Sequence, residues 1–127
     1  MISRLSDRAP VNAAPIDPAP LLGDWLNYDA TSRNIASLTI TRHGEGIVLR
    51  ITGVPDIDWG EKSLDPFALT TAGGEAAAFR AAYDFDFAHI AILAYLNKRL
   101  LVVDAYTTFH DASGRSSYFA RDHFYLR

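Results

Sequence analysis

The chain has 127 residues, 49% of them hydrophobic and 21% charged, the size and balance of one globular domain with its own core. Twelve basic residues against fifteen acidic ones leave a net charge of -3, which argues against a basic face for nucleic acid. The chain has no cysteine, so disulfides, thiolate catalysis, zinc–thiolate sites and iron–sulfur clusters are excluded.

Residues 1–20 hold Pro10, Pro15, Pro18 and Pro20, and Arg4 and Arg8 flank no long apolar run. This segment reads as an N-terminal extension, either a flexible tail or a segment docked on the rest, rather than a secretory signal. The domain proper is then 21–127. No stretch approaches the roughly 18–20 apolar residues of a membrane span, and a cytoplasmic location is the expectation.

Asp17-Pro18 has the form of a helix N-cap followed by proline, opening a single turn through Leu21 and Leu22. A first strand runs from Gly23 to Tyr28, and Asp29 to Ser32 is turn chemistry. Residues 35–42 and 47–52 alternate apolar with polar across the Gly44-Glu45-Gly46 turn. After Gly53-Val54-Pro55 a fourth strand runs to Leu64, with Gly60 inside it as the mark of a bulge or of the close approach of another group. Residues 65–75, with Pro66, Gly73 and Gly74, are the longest internal loop. In 77–87, Phe79, Ala81, Tyr83, Phe85 and Phe87 share one face. Strands 89–96 and 100–110 are joined by an Asn97-Lys98 turn, and a five-residue hairpin, 111–115, leads to the last strand, 116–126. Eight strands with short connections predict an all-β fold: an eight-stranded antiparallel up-and-down barrel with an irregular N-terminal extension. A two-sheet sandwich is the alternative.

Gly23-Asp24-Trp25 on the first strand resembles the Gly-x-Trp of lipocalins, and Gly23 to Asn27 resembles the opening strand of avidins. With the strand count, the chain resembles the calycins, the superfamily of lipocalins, fatty-acid-binding proteins and avidins. That resemblance implies a cup-shaped barrel in which a basic residue of the last strand, Arg121 or Arg127 here, packs over Trp25 and seals the floor. The combined pattern of Gly-x-Trp-x-Asn, Thr31-Ser32-Arg33, Asp58-Trp59-Gly60-Glu61 and Asp111-x-Ser113-Gly114-Arg115-x-x-Tyr118 is similar to that of small bacterial proteins of unassigned function. It brings no activity with it.

Several residues carry chemistry. Asp58-Trp59-Gly60-Glu61 is either a ligand platform or a bulged strand in which Trp59 is core and Glu61 pairs with Arg33 or Arg50. On the last strand one register turns Tyr118, Ala120, Asp122, Phe124 and Leu126 inward, against Leu101, Val103, Ala105, Thr107 and Phe109. Asp122 would then need a partner, and Tyr83 with Arg50 could supply a hydrogen-bonded or acid–base cluster. The opposite register turns Phe119, Arg121, His123 and Tyr125 inward. The four histidines are dispersed without metal-ligand spacing, Ser113-Gly114 lacks the strand–turn–helix of a nucleophile elbow, and no cofactor or metal is expected.

The leading expectation is binding of a small, mostly hydrophobic or amphipathic molecule in a barrel cavity. Phe79, Tyr83, Phe85, Trp59 and Tyr118 would line it, with Arg50 or Asp122 setting orientation. The alternative is a cofactor-independent cyclase or isomerase for a polyketide- or terpene-like substrate, using Asp122, Tyr118 and Tyr83. A third reading is a non-catalytic interaction module. Strands 89–96 and 100–110 are apolar on both faces, so their outer face needs a cover, from the N-terminal extension or from a second copy in a homodimer.

Overall fold

The computed structural model describes residues 13–127, which form an all-β chain. The strands are β1 (Ile16–Asp17), β2 (Gly23–Asn27), β3 (Ile35–His43), β4 (Gly46–Gly53), β5 (Ile57–Ser63), β6 (Asp65–Ala68), β7 (Gly74–Asp84), β8 (Ala88–Asn97), β9 (Leu100–Phe109) and β10 (Tyr118–Leu126). The one helical element among the described residues is a short 3₁₀ turn, Ala19–Leu21. Its N-cap is Pro18, one residue later than the predicted Asp17, and Asp17 Oδ1 accepts the Ala19 N–H at 3.0 Å. No helix among them is long and apolar enough to cross a membrane. Residues 1–12 of the N-terminal extension lie outside the described residues.

Nine strands follow one another in a single curled sheet, in the order β1-β7-β8-β9-β10-β2-β3-β4-β5, with β6 paired to β7 beside that path. All pairings are antiparallel except the short parallel contact of β1 with β7 at Ile16 and Gly74. The sheet is half-barrel-like and mixed, in place of the expected antiparallel eight. The extra strands come from two segments with weak alternation. Ile16–Asp17 adds to the start of β7, and part of the predicted 65–75 loop becomes β6. Pro66 can sit in β6 because that strand lies at an edge, where a missing N–H breaks no ladder.

Side chains on the inner face form one core. Ile47, Leu49 and Ile51 of β4 meet Phe79 and Tyr83 of β7, Ile92 of β8, Leu101 and Val103 of β9 and Phe124 of β10. Most of these are under 2% exposed, so the middle of the curl is filled with side chains. The β10 register settles the orientation of the last strand. Phe124 pairs with Leu101, Asp122 with Val103 and Tyr118 with Thr107, so Tyr118, Ala120, Asp122 and Phe124 share the inner face. The β8–β9 hairpin closes with Asn97 opposite Leu100. Its two turn residues are therefore Lys98 and Arg99, both at positive φ, one position later than the predicted Asn97-Lys98.

One end of the curl is sealed by its own backbone. Leu21 of the 3₁₀ turn is fully buried, and its carbonyl accepts the Trp25 Nε1–H at 2.9 Å. The predicted arginine over Trp25 is absent among the described residues. Leu126 pairs with Trp25 on the inner face, which turns the odd-numbered Arg121 and Arg127 away. Arg121 instead forms a bidentate pair with Asp104 at 2.7 and 2.9 Å on the outer face and lies over Phe119. The same Leu126 crowds Gly23. A Cβ there would lie 2.7 Å from Leu126 Cδ1, and the backbone φ of +130° is one that side chains rarely adopt. Gly23→Ala is expected to cost about 1–3 kcal/mol, read as a lower urea midpoint with unchanged slope.

Candidate functional site at the open end of the sheet

The up-and-down course puts four connections at the end opposite Trp25: 28–34, 54–56, 85–87 and 110–117. Here β5 and β6 matter most, because they are one run of chain that changes partners. β5 pairs with β4, with Val48 opposite Ser63, while β6 pairs with β7, with Asp65 opposite Arg80. From Leu64 toward the open end, β5 and β7 therefore diverge. No strand pairing joins Ala81–Asp84 to β5.

Tyr83 bridges this seam. Its ring is fully buried and its hydroxyl donates to the Gly60 carbonyl at 2.9 Å, with the Leu49 carbonyl 3.4 Å away. Burial pushes the Tyr83 phenol up to about 12. Gly60 sits at φ +86° in an irregular stretch of the β4–β5 ladder, the bulge its position in the sequence predicts. Asp58 Oδ1 accepts the Gly60 N–H at 2.8 Å, and Arg50 holds Asp58 and Glu61 at 2.6 and 3.0 Å on the outer face. These carboxylates raise the Arg50 guanidinium above its ordinary value, the hydrogen bond it donates to Glu61 most.

The bulge turns the Trp59 indole across Gly53, where a Cβ would collide with it. From Trp59 a belt of rings runs round the rim. Trp59 meets Tyr83 and Phe85 edge-on at 5.6 and 5.9 Å. Tyr83, Phe85 and Phe87 stack in succession. The Arg115 guanidinium lies 5.8 Å from the Phe87 ring and 3.9 Å from Phe109, and Phe109 stacks on Tyr118 at 6.0 Å. The Tyr118 hydroxyl reaches Asn34 Oδ1 at 3.4 Å. The Asn34 carbonyl accepts the Val54 N–H, beside Gly53 and back at Trp59. Phe87 and Tyr118 are nearly half exposed.

Arg115 is fixed by its own hairpin. Ser113 Oγ accepts from Nε and Asp111 Oδ2 from Nη2, both at 3.0 Å. The Ser113 hydroxyl, first among several donors, holds the Asp111 carboxyl below the usual carboxylate range.

Of the residues predicted to form a site, Trp59, Tyr83, Phe85 and Tyr118 come together on this rim. Phe79 lies deeper, in the core. Arg50 faces outward, because its neighbours Leu49 and Ile51 take the inner face, so the Asp122–Tyr83–Arg50 cluster does not form. Asp122 is on the inner face and half-buried, with no side-chain hydrogen bond among the described residues. It is four residues along one strand from Tyr118, about 13 Å. Phe87, Phe109, Asn34 and Arg115 complete the belt without having been singled out. The alternation placed Phe87 and Phe109 on inward faces, but only the pairing of β7, β8 and β9 brings them together. Among the described residues no three His, Asp or Glu side chains group as metal ligands. Grooves lie elsewhere, two at the sealed end, beside Ile16, Arg42 and Leu64 at about 400 Å³ and beside Asp17, Gly74 and Glu75 at about 500 Å³, and one outside β10 beside Tyr28 and His123 at about 370 Å³.

No family model, curated protein or solved structure matches this chain.

Tyr83 gives a pH dependence with a defined sign. Its phenol has a folded value near 12 against an ordinary 10.0, so the folded chain binds the extra proton between those values and loses that stability as pH rises through them. Tyr83→Phe is expected to cost about 1 kcal/mol at neutral pH. The gap to wild type is expected to narrow from pH 10 toward 12, measured by urea unfolding of both proteins at each pH.

Proposed function

We propose that the chain binds a small, mostly apolar molecule at the open end of a calycin-like barrel, against the aromatic belt. The belt itself carries this reading. Five aromatic side chains from three strands and one connection, Trp59, Phe85, Phe87, Phe109 and Tyr118, turn partly exposed rings toward one rim. Exposed aromatic surface of that kind is costly to leave in water and marks recognition sites. The core beneath is filled, so the ligand lies across the rim rather than in a deep cavity. Closure of the curl into a barrel is part of the proposal. Its support is the continuity of β5 and β6, which pair with opposite ends of the sheet, and the Tyr83 hydroxyl that spans the seam.

The test is fluorescence titration with a neutral apolar probe, N-phenyl-naphthylamine. Wild type is expected to bind it, and Phe87→Ala and Tyr118→Ala each to weaken binding by about two- to tenfold, with unfolding midpoints little changed. Unaltered binding in both variants would refute the rim as the site.

A second reading, a protein-interaction surface, has its own observation. The outer face of β8, β9 and β10 exposes Leu93, Tyr95, Tyr106, Phe119 and Tyr125 around the Arg121–Asp104 pair. If two copies meet through this face, light scattering at micromolar concentration is expected to report a dimer and Phe119→Glu a monomer. A monomeric wild type would remove that reading.

A further inference from the structure

We propose that the ligand of the rim is an organic cation with an apolar body, its charge stacked on the aromatic belt; this rests on the rim being the binding site. The first support is that a cation already occupies the belt. Arg115 lies face-on to Phe109, with its Cζ 3.9 Å from the ring centre, close enough for the negative face of the ring to attract it. A carboxylate and a hydroxyl, Asp111 and Ser113, complete its surroundings. Aromatic faces beside a carboxylate are the chemistry that selects ammonium and guanidinium groups over neutral or anionic ones. Arg115 has a side chain 52% exposed, and its hairpin holds it through exposed hydrogen bonds, so it acts as an internal competitor that a ligand's cation can displace.

The second support is the distribution of charge between the two ends. Each of the four rim connections contributes one aspartate: Asp29, Asp56, Asp86 and Asp111. The same connections carry two arginines, Arg33 and Arg115. At the opposite end the β8–β9 turn is Lys98-Arg99 and the β3–β4 turn carries Glu45, so the turns there are net positive where the rim is net negative. Two of the rim aspartates are held ionised by hydrogen bonds, Asp29 from Thr31 and Asp111 from Ser113. A cation approaching the belt therefore enters a field of its own counter-charge. An anion would meet that field reversed and would have to take Arg115 from Asp111.

The experiment is an NMR titration of the isotopically labelled full chain with three probes that share one body: naphthylmethyl-trimethylammonium, naphthylmethanol and naphthylacetate. The ammonium probe is expected to bind about three- to fivefold more tightly than the alcohol, with the acetate weakest. The Trp59 indole and Phe109 signals should move, and the preference should shrink with added salt. Arg115→Ala, an exposed position outside the core, is expected to strengthen binding of the ammonium probe by baring Phe109. Equal affinities for ammonium and alcohol, a preference for the acetate, or unchanged or weaker ammonium binding in Arg115→Ala would each overturn the cation inference and leave the rim site standing. If none of the probes moves the rim signals, both fall.

Discussion

The hydrogen bond from the Tyr83 hydroxyl to the Gly60 carbonyl takes the place of a strand ladder where β5 and β7 part. Strands joined by a ladder lie about 4.8 Å apart, and side chains on one strand then cannot wedge between them. A phenol reaching across holds the two strands at a greater spacing, and its ring fills the gap. Trp59 and Phe85 complete the filling with edge-on contacts. The acceptor is available because Gly60 adopts a positive φ, and that conformation is held from outside by Asp58 and Arg50. Exposed ion pairs contribute little stability on their own, about 0–1 kcal/mol. Here the Arg50 pairs have a different effect. They select one backbone conformation on the outer surface, and the bulge carries that choice inward to the direction of the Trp59 ring.

Much of this arrangement can be read in the sequence, and the unreadable part has a physical pattern. Period-two alternation gives most of the strands, the inward set on β7, the inward set on β9 and the Gly60 bulge, because side-chain direction in a strand is a local property. The sealed end was legible as a pairing of Trp25 with something, but not with what. The partner is a main-chain carbonyl, that of Leu21, and no side-chain pattern advertises a carbonyl. Asp65–Ala68 was unreadable as a strand because Pro66 speaks against one. Only its position at an edge makes the proline harmless. The rim belt was legible ring by ring but not as a belt, since the contacts that join its local groups, Trp59 to Tyr83 and Phe85, Phe87 to Arg115 and Tyr118 to Asn34, span tens of residues and form only through the sheet order.

The filled core bears on where chemistry can happen. Leu49, Ile51, Phe79, Ile92 and Phe124 are each no more than 1% exposed, and opening a ligand cavity among them would cost several kcal/mol for each large side chain removed. The rim carries no such cost. Its residues come from strand ends and from the four connections, where a side chain can change without opening the core. The division of labour is visible along β7 itself. Phe79 is core, Tyr83 joins the strands, and Phe85 and Phe87 just past its end face the rim.

Asp122 fits the same logic from the other direction. A carboxylate on the inside of a curled sheet should be paired, since a buried polar group needs a partner. It is not paired because the sheet is not continuous beside it. β2 is short and meets β10 only at Phe124, Tyr125 and Leu126, so the stretch of β10 from Tyr118 to Asp122 has no strand on that side. The 28–34 connection crosses instead, tied by the Tyr28 N–H to the His123 carbonyl and by Asn34 to Tyr118. A crossing connection leaves room for water where a strand would not, and Asp122 stays half-buried rather than sealed. Extending β2 by two residues along β10 would close that side, and would leave the carboxylate in need of a hydrogen-bonding or cationic partner.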